Sequence, residues 1–95
     1  MPDQGDCERR ELYYSGRVQG VGFRYTVRSL ATRFAVTGFV RNSPDGRVEL
    51  VVEGRPDEIR LFLDTIRVEM GHYVSGIQEQ NSPATGRFQG FEIRF

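Results

Sequence analysis

The sequence predicts an α+β sandwich of the ferredoxin-like type, with two helices packed on one face of a mostly antiparallel sheet. Three observations predict it. Apolar residues alternate with polar ones in several short stretches and recur at helical spacing in two longer ones. The order is strand, helix, strand, strand, helix, strand, with a further short strand at the end. At 95 residues the chain suits one domain.

The first strand is expected over Glu11 to Val18, with Leu12, Tyr14 and Val18 on one face. A glycine-rich loop follows, Gly16-Arg17-Val18-Gln19-Gly20-Val21-Gly22. The first helix runs from about Gly22 to Phe34. Its stripe is Phe23, Val27, Leu30, Ala31 and Phe34, with Arg24, Arg28 and Arg33 off it. Val36 to Asn42 reads as the second strand, Ser43-Pro44-Asp45-Gly46 as a turn, and Arg47 to Glu53 as the third strand. In that strand Val48, Leu50 and Val52 alternate with Arg47, Glu49 and Glu53. Pro56, Asp57 and Glu58 open the second helix, Ile59, Phe62, Leu63, Ile66 and Met70 form its stripe, and Gly71 is its expected stop. Strands are then expected over Tyr73 to Asn81 and at Phe91 to Phe95. The expected domain is 10–95, preceded by a loose polar tail, Met1 to Arg9.

Composition narrows the function. Thirteen basic residues balance thirteen acidic ones, so no bulk field draws the chain to nucleic acid or an anionic membrane. The tail lacks the apolar run of a signal peptide, and no later stretch approaches a membrane span. A lone cysteine, Cys7, cannot form an internal disulfide, and a reducing cytoplasm is the expected setting. Monomer is the expected state. Seven Phe and four Tyr supply large buried areas to a small core.

The chemistry is concentrated after the first strand. Gly16, Gly20 and Gly22 let the backbone curl so that successive N–H groups face one concavity, a nest for an anion. The helix start adds free N–H groups and a positive dipole end. Arg24 stands in the first turn, off the apolar stripe, where a guanidinium can fork onto phosphate oxygens. An ordinary tight strand-to-helix turn would use the same glycines, and spacing alone leaves both readings open. The loop is not a Walker motif, and Tyr25 stands where a dinucleotide fingerprint needs its third glycine. His72 is the only histidine, so no His-based metal cluster and no zinc site of usual spacing is available, and an exposed cap role is expected for it. Asp45 and Glu49 read as turn and strand-surface residues. Asn42, ending the second strand, could lead into the turn or hold a water with its amide.

At Gly16-Arg-Val-Gln-Gly-Val-Gly-Phe-Arg24 the sequence resembles the acylphosphatases. The resemblance continues through Gly38-Phe-Val-Arg-Asn42, Asp45-Gly-Arg-Val-Glu49 and Gly54, then Thr85-Gly-Arg-Phe-Gln-Gly-Phe-Glu-Ile-Arg94, and covers about residues 11–95. Phe39 stands where many members carry tryptophan, and Met70 to Tyr73 shows no family pattern. The resemblance implies metal-free, cofactor-free hydrolysis of a small-molecule acyl phosphate to carboxylate and inorganic phosphate. It implies that Arg24, with the amides of Gly16, Arg17, Val18, Gln19, Gly20, Val21, Gly22 and Phe23, binds phosphate, and that Asn42 orients the water. Two other readings stay open. One is a phosphate-binding domain without turnover. The other is an RNA-binding ferredoxin-like module stacking bases on Phe39 or Tyr13, although no RNP1-like run lies on the third strand.

Overall fold

The computed structural model describes residues 6–95. The elements are β1 (Glu8–Gly16), α1 (Phe23–Ala31), β2 (Val36–Asn42), β3 (Val48–Gly54), α2 (Pro56–Met70), β4 (Val74–Pro83) and β5 (Phe91–Arg94). The sheet order is β4-β1-β3-β2-β5. Every neighbouring pair is antiparallel except β2 and β5, which run parallel. This is the ferredoxin-like α+β arrangement that the order of elements predicts.

The helix-side face of the sheet is built by strand alternation. Leu12 and Tyr14, Val36 and Val40, and Val48, Leu50 and Val52 all enter one core. Phe23, Val27, Leu30 and Ala31 of α1 and Ile59, Phe62, Ile66 and Met70 of α2 meet them. Phe62 touches both Phe34 and Phe91, with ring centroids 5.8 and 5.6 Å away, joining α2 to the end of α1 and to β5.

Local expectations change at both ends of β1, at the end of α1 and in β3. β1 begins at Glu8 and stops at Gly16. Glu8 and Arg9, expected in the tail, pair with Gly54 and Glu53 of β3 and with Pro83 and Ser82 of β4; Met1 to Gly5 lie outside the described residues. The strand stops at Gly16 because the ladder bulges at Ser15/Gly16, where φ is +122° and a Cβ would run into the Tyr73 carbonyl. Val18 is therefore a loop residue, yet its side chain still sits in the core, 1% exposed. α1 ends at Ala31, and Thr32, Arg33 and Phe34 donate to the carbonyls of Ser29, Leu30 and Ala31 in a tightened last turn.

Gly71 is the C-cap of α2, as expected, but its backbone is not left-handed. Its φ is −60°, and α2 tightens into a 3-10 turn over Gly71–Tyr73. Finally, β3 is central and buried on both faces: Glu49 and Glu53, which alternation assigns to the surface, are 6% and 4% exposed. Each is held by partners. Glu49 accepts from Tyr13 Oη at 3.0 Å and from Arg41 Nε. Glu53 accepts from the Thr85 N–H (3.0 Å), the Thr85 hydroxyl (2.8 Å), the Gly86 N–H (2.9 Å) and Arg9 (3.3 Å).

Candidate active site

The loop between β1 and α1 is anchored at its base and open along its rim. At its base the Arg17 N–H donates to the Tyr73 carbonyl at 2.9 Å, and Val18 is plugged into the core. Gly20 and Gly22 then take φ of +79° and +81°, left-handed values that glycine adopts without strain. Gly22 is the N-cap of α1 and offers no capping side chain, and the first turn carries no acidic residue. The first helical bond is Thr26 N–H to the Gly22 carbonyl, 3.0 Å. Among the described residues no backbone N–H from Val18 to Tyr25 donates to another backbone group of the protein. That is the donor set an anion at a helix N-terminus requires.

Arg24 is half-buried in the first turn of α1. Among the described residues it forms no ion pair, whereas Arg9, Arg10, Arg41 and Arg47 each have a carboxylate partner. The Arg24 guanidinium carbon lies 4.9 Å from the centroid of the Phe95 ring. A ring over the guanidinium plane leaves the in-plane N–H edge free to fork onto oxygen.

Asn42 shares the helix-side parity of Val36 and Val40, the side on which α1 lies. The parallel register sets Arg41 opposite Arg94, so the next residues, Asn42 and Phe95, leave the sheet at one level. Phe95 meets Arg24 there. On the other flank, Gln19 Nε2 donates to the carbonyls of Ser43 (2.9 Å) and Arg47 (3.0 Å), binding the loop to the turn that follows Asn42. The loop, Arg24 and Asn42 are thus gathered at one end of the sheet. The contributions of Phe95 and of the Gln19 side chain carried no recognisable signal in the sequence.

The surrounding acids are engaged. Asp45 Oδ2 accepts from Arg47 Nε at 2.8 Å and Oδ1 from the Arg47 N–H at 3.1 Å. These two bonds, with help from the Ser43 side chain, pull its pKa down to about 2. It remains a locked turn residue, as its place between Pro44 and Gly46 suggests. His72 is exposed in the 3-10 turn, its ring 4.0 Å from that of Tyr73. Among the described residues no group of three or more His, Cys, Asp or Glu could hold a metal. A groove of about 540 Å³, lined by Tyr25, Arg28, Phe34 and Phe91 among others, contains neither loop residues nor Asn42. The candidate site is a rim of donors.

Fold and site together define a ferredoxin-like domain with a glycine-rich, donor-lined loop at the mouth of its first helix. The Acylphosphatase family model matches residues 10–93. An acylphosphatase of Rubrobacter xylanophilus is 43% identical over 99% of this chain and 86% of its own length. One of Syntrophus aciditrophicus is 42% identical over 93% of each. The crystal structure of the Bacillus subtilis acylphosphatase superposes with a TM-score of 0.83 at 30% identity, covering 93% of this chain and 99% of that one. The chain belongs to the acylphosphatase family.

Proposed function

We propose a division of labour for the reaction that family membership assigns to this chain, hydrolysis of an acyl phosphate to a carboxylate and inorganic phosphate. Arg24 and the free N–H groups of residues 18–24 hold the phosphoryl oxygens; the Arg17 N–H, expected among them, is spent on the Tyr73 carbonyl. Asn42, facing the same end of the sheet, holds the attacking water. The observation that carries this reading is the convergence of a guanidinium without an ion pair among the described residues, an uncapped helix N-terminus and Asn42 at one end of the sheet.

The water oxygen bonds to phosphorus and the bond from phosphorus to the acyl oxygen breaks. The bonding electrons leave on the carboxylate, and the water proton passes to a phosphoryl oxygen of the substrate. The leaving group is already stable, so positioning and charge stabilisation carry the work. A site lined with N–H donors and a guanidinium repels a cation, which supports a metal-free route.

The same features support a small-molecule partner over nucleic acid. Tyr13 lies under the Arg47 guanidinium at 4.2 Å and donates to Glu49. Phe39 is covered by Arg94 at 4.0 Å and Phe88 at 5.9 Å. Neither ring is a bare platform for a base. A monomer in the cytoplasm fits one open site and a free thiol at Cys7; no helix among the described residues is long and apolar enough to cross a membrane.

The test is Asn42→Ala. Removing one preorganised polar group should lower kcat by roughly a hundredfold, while inhibition by inorganic phosphate and the melting temperature stay close to those of the parent. If kcat holds and only stability drops, Asn42 is a turn residue. If phosphate affinity collapses together with kcat, Asn42 contacts phosphate, and the proposed division is wrong.

A further inference from the structure

We infer that the side chain of Gln19 is a positioning residue for the reaction: it clamps the anion loop to the β2–β3 turn and so sets the distance between bound phosphate and the Asn42 water. The inference rests on the site reading above and assigns to Gln19 a role separate from its backbone N–H.

The geometry is specific. Both acceptors are main-chain carbonyls, Ser43 at 2.9 Å and Arg47 at 3.0 Å, so the amide nitrogen and not its oxygen must face them. Those two carbonyls already close the turn: Ser43 N–H donates to the Arg47 carbonyl (2.7 Å), and Gly46 N–H to the Ser43 carbonyl (3.1 Å). Gln19 uses the remaining lone pair on each. It therefore grips the ends of a turn that is itself rigid, pinned further by Asp45 and Arg47. Asn42 is the residue just before this turn, and Arg24 is the second residue of the helix that follows the loop.

Without Gln19 the loop keeps three anchors, the Arg17–Tyr73 bond, the buried Val18 and Val21 packed against the core. None of the three ties the loop to the strand end that carries Asn42. Gln19 is exposed and is not part of the core, so its worth lies in registration more than in stability. A misplacement of about 1 Å between reacting groups can cost up to about a hundredfold in rate.

The experiment is a double-mutant cycle on the full chain, with acetyl phosphate as substrate and inorganic phosphate as inhibitor. Gln19→Ala and Gln19→Glu are each measured alone and with Asn42→Ala. Glutamate keeps the length but presents oxygens to two carbonyls, so it cannot clamp. In both single variants kcat should fall about ten- to hundredfold, with phosphate inhibition and melting temperature little changed. In the Asn42→Ala background either Gln19 change should have little further effect, because the group it positions is gone.

An unchanged kcat in Gln19→Ala, a fully active Gln19→Glu, or effects that multiply with Asn42→Ala would each overturn the clamp. If Asn42→Ala is slow while the Gln19 variants are normal, the clamp alone fails and the site reading stands. If Asn42→Ala is as fast as the parent, the site reading itself falls and takes the clamp with it.

Discussion

Arg24 is set apart by its company. The chain spends much of its arginine on carboxylates, as in Arg9–Glu53, Arg10–Glu79 and Arg41–Glu49, whereas Arg24 has an aromatic ring against it and no acid among the described residues. Its planar fork is therefore free for an oxyanion. Lysine would keep the charge but lose the fork and the stacked plane. Arg24→Lys should fold with an unchanged melting temperature, because the side chain stands off the core stripe of α1. Its kcat should drop at least about tenfold, and inorganic phosphate should protect it less well against heat. Steady-state kinetics and a thermal melt with and without phosphate check both halves. Near-parental activity in the folded variant would move the phosphate contact elsewhere.

Among the elements, β3 departs furthest from its sequence pattern, and Glu53 shows why. Burial pushes its carboxyl pKa up. The backbone N–H groups of Thr85 and Gly86, the Thr85 hydroxyl and Arg9 more than offset this, and the net shift is downward. A carboxylate with a lowered folded pKa contributes stability above its unfolded value and loses it as pH falls through the folded one. The melting temperature should thus fall as pH drops from about 5 to about 3. Glu53→Gln should show a shallower fall there; parallel curves would mean that the charge contributes nothing. Much of this architecture was legible, because strand and helix periodicities are local. Leu12 and Tyr14, or Ile59, Phe62 and Ile66, reveal their buried face without reference to any partner. Glu49 and Glu53 could not be placed that way, since a polar residue at an outward position looks the same whether it meets water or the segment around Thr85. The glycine-rich loop was legible for a similar reason, being one contiguous run from Gly16 to Arg24. The link from Gln19 to Ser43 and Arg47, and the approach of Phe95 to Arg24, depend on long-range register and left no mark on the pattern.

For the molecule as a whole, a site made of donors predicts a simple ligand response. Inorganic phosphate, sharing the phosphoryl part of the substrate, should compete in kinetics and raise the melting temperature with the logarithm of its concentration, as any ligand preferring the native state does. Strong chelators should leave turnover unchanged; loss of activity restored by a divalent cation would contradict the metal-free route. The sheet order has a separate consequence. β1 is paired on one side with β3 and on the other with β4, so Glu8 meets Pro83 across most of the chain. Folds dominated by such distant pairings are slow, because loop closure precedes any reward. A ribosome adds roughly 5–20 residues per second, so the first strand waits seconds for the neighbour that covers its outer edge. During synthesis Leu12 and Tyr14 are exposed beside unpaired backbone, and the nascent chain is most vulnerable to aggregation before residues 74–83 emerge.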